Sequence, residues 1–378
     1  MGSLQEHKSA IFENRMKKSR PALREEWNIN PDEAYMRSVV TILTRKPTPN
    51  TYKFAVIRAL ADGVLGRRFS GNDPIVSGVK SEVVSFEQIA KRIVGYYWHI
   101  VTDFRLRQSI DPVDEPNVMQ LIRDENADLA LKPHLEYWRY LQEYPERHDS
   151  LVARCCDPRS SLIKTISRLN TVTYYPIDPK LFEVRGRDIH LKKSAVEFLI
   201  RYQQTVAQLA IGNWVSFTEQ LTSSPRLYYK IGGDNPGTSA LWNENQRRKY
   251  SQILDELWGA VCFYCGRTSV EAPLAVGRAI PLMYVYQDRF WNLVLNCDTC
   301  SAAKGEQTPP DFCVERLIAR NRELLSLIER SDRGLGKRDI HELNHYGSGI
   351  AEHIRGLIQG SRADGFSTWS GPECVTSK

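Results

Sequence analysis

Apolar residues recur at helical spacing through most of the chain. In residues 51–62 (TYKFAVIRALAD), Phe54, Ile57 and Leu60 fall on one face, with Val56 four before Leu60, which predicts a helix that Gly63 can stop. Residues 66–80 are rich in Gly, Ser, Asn and Pro and read as a loop. Ser85, with Gln88 three positions on, is a capping-box pattern that opens FEQIAKRIVGYYWHIV. Phe86, Ile89, Ile93 and Tyr97 stripe that helix, and Tyr96, Tyr97 and Trp98 make an aromatic wall better suited to packing than to stacking on bases. Residues 117–124, 134–142 and 160–169 predict shorter helices. FEVRGRDIHL, with strand-like residues on both sides of Gly186, predicts a hairpin. A long amphipathic helix follows over 194–221, with Phe198, Tyr202, Val206, Leu209 and Trp214 apolar. Pro225, a Gly-Gly pair and Pro236 mark 222–238 as a linker. Residues 241–257 predict a helix with Arg247, Arg248 and Lys249 outward, then a compact segment over 261–310. A helix over 312–330 turns Leu317, Leu324 and Leu327 inward. Residues 331–338 read as a joint, 341–359 as a last helix and 361–378 as frayed.

The expected fold is therefore α+β, mainly α. A polar tail (1–30) precedes a mainly helical part (31–230). A small zinc-stapled ββα unit with flanking helices (238–330) and a C-terminal helix and tail (339–378) follow. No apolar run reaches the ~18 residues of a membrane span. The start, MGSLQEHKSA, has no apolar core for a secretory signal, and Glu6 stands where a myristoylated Gly2 would require Ser or Thr. The expected location is cytoplasmic. Hydrophobic residues at 42% and charged residues at 25% exclude a disordered or collagen-like chain. The net charge of +6 on 378 residues permits a nucleic-acid partner without requiring one, because a basic footprint depends on clustering. Across 241–330, 11 Lys and Arg balance 11 Asp and Glu, so binding there must rest on a few placed side chains.

The cysteines change the picture most. Cys262-Phe-Tyr-Cys265 and Cys297-Asp-Thr-Cys300 are two C-x-x-C pairs with 31 residues between them. Each pair sets two thiolates about one tetrahedral edge apart, and Gly266 allows the left-handed backbone such a turn uses. Together they predict a closed four-thiolate zinc site, structural because no coordination position is left open for water. Cys155 and Cys156 are adjacent and badly placed for one metal or for a mutual disulfide, and Cys313 lies outside the pairs. All three read as core thiols.

The residues around these pairs resemble the HNH (ββα-metal) nucleases that carry a stabilising zinc. The resemblance rests on Cys262-Phe-Tyr-Cys265-Gly266, Ile280-Pro281, the run Asp288-Arg289-Phe290-Trp291-Asn292-Leu293-Val294-Leu295, Cys297-Asp-Thr-Cys300 and Lys304-Gly305. It covers about 50 residues. It implies a metal-dependent phosphodiester hydrolase, with Mg or Mn held by an Asp and a later His or Asn while a His activates water. This chain departs from that pattern at each reactive position. In the register fixed by Ile280-Pro281, the Asp position holds Gly277, the His position Arg278 and the later ligand position Ser301. Asn292 and Lys304 are retained, and the nearby acids Asp288, Asp298 and Glu306 fall at surface-loop positions of the template. None of the eight His lies between 191 and 340. His341 and His345 share an i, i+4 spacing that can bind metal, but with His353 they read better as solvent-facing residues of an amphipathic helix.

The expectation is a catalytically degenerate relative that binds nucleic acid, DNA by the resemblance, through Arg278, Asn292 and Lys304. Arg pairs well with phosphate and cannot serve as a base. Related bacterial proteins serve restriction or phage defence, which makes a regulatory component of such a system, with a partner protein, the implied setting. Two other readings stay open: an active nuclease with displaced catalytic groups, and a protein–protein scaffold built on a structural zinc.

Overall fold

A computed structural model describes residues 30–65, 82–129, 135–171, 180–233, 244–330 and 345–372. The fold is α+β and mainly α, as expected. Residues 1–29 of the predicted tail (1–30), the predicted loop (66–80), His134, the joint (331–338) and His341 lie outside the described residues.

The helical part is built from α1 (Pro31–Thr44), α2 (Tyr52–Leu65), α3 (Phe86–Thr102), α4 (Asn117–Leu129), α5 (Tyr137–Glu143), α6 (Pro145–Cys155), α7 (Ser161–Thr171), α8 (Lys193–Thr218) and α9 (Leu227–Gly232). Ser85 caps α3 through a complete capping box with Gln88, which satisfies donors that the first turn leaves open. The aromatic wall on α3 is buried. Tyr97 packs between Tyr52 and Trp214 at centroid distances of 5.8 and 5.2 Å, its hydroxyl bonded to Thr51, and Trp98 stacks on Tyr140 at 4.3 Å. Cys155 and Cys156 are buried core thiols. The predicted hairpin is β2 (Glu183–Arg185) and β3 (Asp188–His190), turning at Gly186 with φ +62°, and β1 (Val83–Ser85) joins it in the order β1-β3-β2.

The cysteine segment follows α10 (Glu244–Trp258), on which Arg247, Arg248 and Lys249 are exposed. It comprises β4 (Leu274–Arg278), the short α11 (Leu282–Val285), β5 (Leu293–Cys297) and α12 (Asp298–Lys304). The strands are antiparallel, with Leu274 opposite Cys297 and Arg278 opposite Leu293. Two strands followed by a helix make the ββα order. Behind them lie α13 (Asp311–Arg330) and α14 (Ile350–Ala363).

Three local expectations are corrected. Gly63 is not a stop, because it keeps ordinary helical angles and α2 runs on to Leu65. The predicted linker contains α9, whose Leu227 and Ile231 are buried, so packing overrides the Pro and Gly punctuation around it. Residues 361–372 are not frayed. Thr308 and Thr368 form a parallel bridge, and Phe366 and Trp369 are 2% and 5% exposed.

Candidate metal centre

The first cysteine pair sits on a tight turn. The Cys262 N–H donates to the Arg267 carbonyl at 2.7 Å and the Gly266 N–H to the Cys262 carbonyl at 2.9 Å. Gly266 takes φ +77°, the left-handed conformation expected of it. The Phe263 N–H donates to the Leu295 carbonyl at 2.8 Å, which brings the turn against the end of β5. There Cys297 closes the strand and caps α12, and Cys300 lies in the first turn of that helix.

The four sulfur atoms consequently lie within 4.8 Å of one another. Cys265 Sγ and Cys297 Sγ are 3.8 Å apart, the edge of a tetrahedron whose metal–sulfur bonds are about 2.3 Å. The Cys297 N–H points at Cys262 Sγ at 3.4 Å, the kind of donor that favours a thiolate. Burial pushes the Cys262 thiol up, but backbone N–H groups of Cys265, Cys297 and Tyr264 outweigh it and bring it down to about 7. Burial raises the crowded Cys265 to about 11 and Cys300 higher still. The cluster is positioned to hold a metal ion, and four soft ligands complete a tetrahedron. Cys313 is buried outside it, as expected.

Helix α13 clamps this unit through backbone oxygens. Arg320 donates to the carbonyls of Leu293 (2.6 Å) and Trp291 (3.0 Å), and Asn321 Nδ2 to Trp291 (2.9 Å). Arg316 reaches the carbonyls of Phe263 and Tyr264 in the first turn. Trp369 meets Tyr264 edge-on at 5.2 Å, so the end of the described chain braces the same turn.

The residues singled out beside β4 take distinct places. Arg278 pairs bidentately with Asp288, Nε to Oδ1 at 2.5 Å and Nη2 to Oδ2 at 3.1 Å. Burial raises the Asp288 carboxyl, with Arg278 and Arg247 opposing the shift. Asn292 is buried, and its amide is turned onto the backbone of Ile280. Oδ1 accepts from the Ile280 N–H (2.7 Å) and Nδ2 donates to its carbonyl (3.0 Å), which pins the chain leaving β4. Lys304 is buried and donates to the Gly305 carbonyl at 3.3 Å. Burial lowers it to about 8, with Glu306 opposing and Arg278 reinforcing. Gly277 packs on Asn296, since a Cβ there would lie 2.7 Å from the Asn296 amide nitrogen. Ser301 is exposed.

Two residues differ from the sequence expectation. Asp288, read as a surface-loop acid, is the partner of Arg278, a pairing that only the return of the chain between the strands produces. His353, read as solvent-facing, stacks on Tyr346 at 4.2 Å and meets Trp291 edge-on at 5.3 Å. His345 is exposed. Among the described residues, the four cysteines are the one group of this kind placed to hold a metal.

A search of protein-family models, of curated proteins and of solved structures finds no match to this chain. No helix among the described residues is long and apolar enough to cross a membrane.

Proposed function

We propose that the chain is a zinc-stapled, HNH-like module that binds DNA without hydrolysing it, as a regulatory component of a bacterial restriction or defence-type system. The observation that carries this reading is the bidentate Arg278–Asp288 pair on β4, where the resemblance calls for an Asp-His pair. An imidazole base and its metal-binding carboxylate are replaced there by a guanidinium and a glycine whose flank is filled by Asn296. Zinc is the metal the tetrathiolate favours, through its soft sulfur ligands and tetrahedral closure. Its contribution is to hold the first turn, β5 and α12 together.

On this reading Arg278 supplies the phosphate contact, its planar fork able to exchange Asp288 for a backbone phosphate. Asn292 and Lys304 shape the surface that presents it. The test is duplex-DNA binding by fluorescence anisotropy across a salt series, beside plasmid cleavage with Mg or Mn. The expected result is affinity that falls steeply with salt, weakens in Arg278→Ala and comes with no cleavage. Divalent-dependent cutting would revive the active-nuclease reading. Salt-independent binding, or none, would leave the scaffold.

A further inference from the structure

A second site lies in the helical part. The chain leaving α1, the start of α2 and the last turns of α7 enclose a cavity of about 240 Å³. Arg45, Lys46, Lys53 and Arg168 line it, with Ile42 and Leu169 among its apolar walls. No carboxylate among the described residues lines it.

Lys53 is the informative member. It is 8% exposed, a position that Lys almost never takes without a charged partner. Its ammonium has three donors, and one of them meets the Arg45 carbonyl at 2.7 Å. The Phe54 ring lies 5.1 Å away. Among the described residues no acid opposes the effect of burial and the Lys46 charge, which together lower Lys53 to about 8. A buried cation with donors to spare, facing a cavity ringed by three more cations, has the character of a counter-charge waiting for an anion.

We propose that this cavity binds a phosphoryl group. Two lysines and two arginines around one small space suit a dianion with several acceptor oxygens better than a single carboxylate. The volume is below the roughly 300 Å³ at which pockets for drug-sized ligands begin. A terminal phosphate with a small appendage fits that space, and a whole dinucleotide does not. The group can be carried by a free phosphate or mononucleotide, or by the 5′ end of a nucleic acid. The proposal stands apart from the DNA reading of Arg278.

The test uses the full chain with inorganic phosphate, AMP, and one oligonucleotide bearing either a 5′-phosphate or a 5′-hydroxyl. Calorimetry and thermal unfolding are read for the wild type, Lys53→Met, Lys46→Ala and Arg168→Ala. Phosphate is expected to raise the melting temperature of the wild type, and each variant to weaken binding about tenfold or more. Lys53→Met should also lose the phosphate dependence of its melting temperature. Equal responses to phosphate and AMP, with no 5′-phosphate preference, identify a small ligand. A 5′-phosphate preference that the variants abolish identifies a nucleic-acid end. If Lys53→Met fails to fold, the exposed Lys46 and Arg168 decide the matter. No response of the wild type in any arm, or binding unchanged in these variants, overturns the proposal.

Discussion

Replacing Cys297 and Cys313 separately by Ala isolates what a metal held by the cysteine cluster would contribute. Both thiols are fully buried, so the two variants lose similar packing, and only Cys297 belongs to the cluster. A metal joining Cys265 to Cys297 closes a chain segment with a separation of 32 residues. Treated as a cross-link on the unfolded chain, that closure is worth roughly 4 kcal/mol. The thiol-to-methyl loss common to both variants adds about 1 kcal/mol to each. Cys297→Ala should therefore be destabilised by about 4 kcal/mol more than Cys313→Ala, a fall in melting temperature of roughly 5–10 °C for a chain of this size. Elemental analysis should find about one zinc per chain in the wild type and in Cys313→Ala, and far less in Cys297→Ala. A strong chelator should bring the wild type down to within about 1 kcal/mol of Cys297→Ala, the side-chain packing that only the variant has lost, and leave that variant unmoved. Equal metal content in the two variants, or equal loss of stability, would refute the reasoning.

Asn292→Ala removes two buried bonds to Ile280 and leaves both backbone groups unpaired, so denaturant unfolding should show a loss of about 2–4 kcal/mol. Asp288→Asn weakens the hold on the Arg278 guanidinium, and DNA affinity should rise several-fold with a steeper salt dependence; a fall would argue against Arg278 as the phosphate contact. Gly277→Asp places a Cβ against the Asn296 amide and should cost about 1–3 kcal/mol, partly recovered by adding Asn296→Ala. Lys230 is buried and bonded to Ser224 and the Tyr284 carbonyl, and burial lowers it to about 7 against the partial support of Asp364. Between that value and the ordinary lysine range the unfolded chain binds the extra proton. Its contribution to stability should therefore rise with pH, by on the order of 2 kcal/mol from pH 7 to 9, and Lys230→Met should take that much off the rise, leaving the share of Lys53 and Lys304, which burial also lowers.

The parts of the fold legible in the sequence were those encoded over short spans. The C-x-x-C spacing, with a glycine after the first pair, announced the cysteine cluster because three or four consecutive residues set the turn that aims both thiols. Ser85 and Gln88 announced the start of α3 for the same reason, and Gly186 the hairpin. Features made by distant segments carried no such local mark. Asp288 reads as an ordinary loop acid until β4 and β5 fold back and set it against Arg278. Trp369 reads as a residue in a polar tail until it meets Tyr264, more than a hundred positions away. The α9 helix is hidden by its Pro and Gly neighbours, and its burial comes from partners elsewhere in the chain. His353 likewise owes its place to Trp291.

The setting of Lys230 has a consequence for taking the molecule apart. Its ammonium, carried on α9, ends at the Tyr284 carbonyl beside the ββα strands, while Gly360 of α14 lies so close to the Tyr284 hydroxyl that a side chain there would collide with it. Three segments from different stretches of the chain thus share one interior, and each supplies a wall the others lack. A protein cut once after Gly233 should behave as a pair of complementing fragments, co-purifying and melting together. The 244–372 piece made alone would expose Tyr284, whose carbonyl and ring Lys230 had covered.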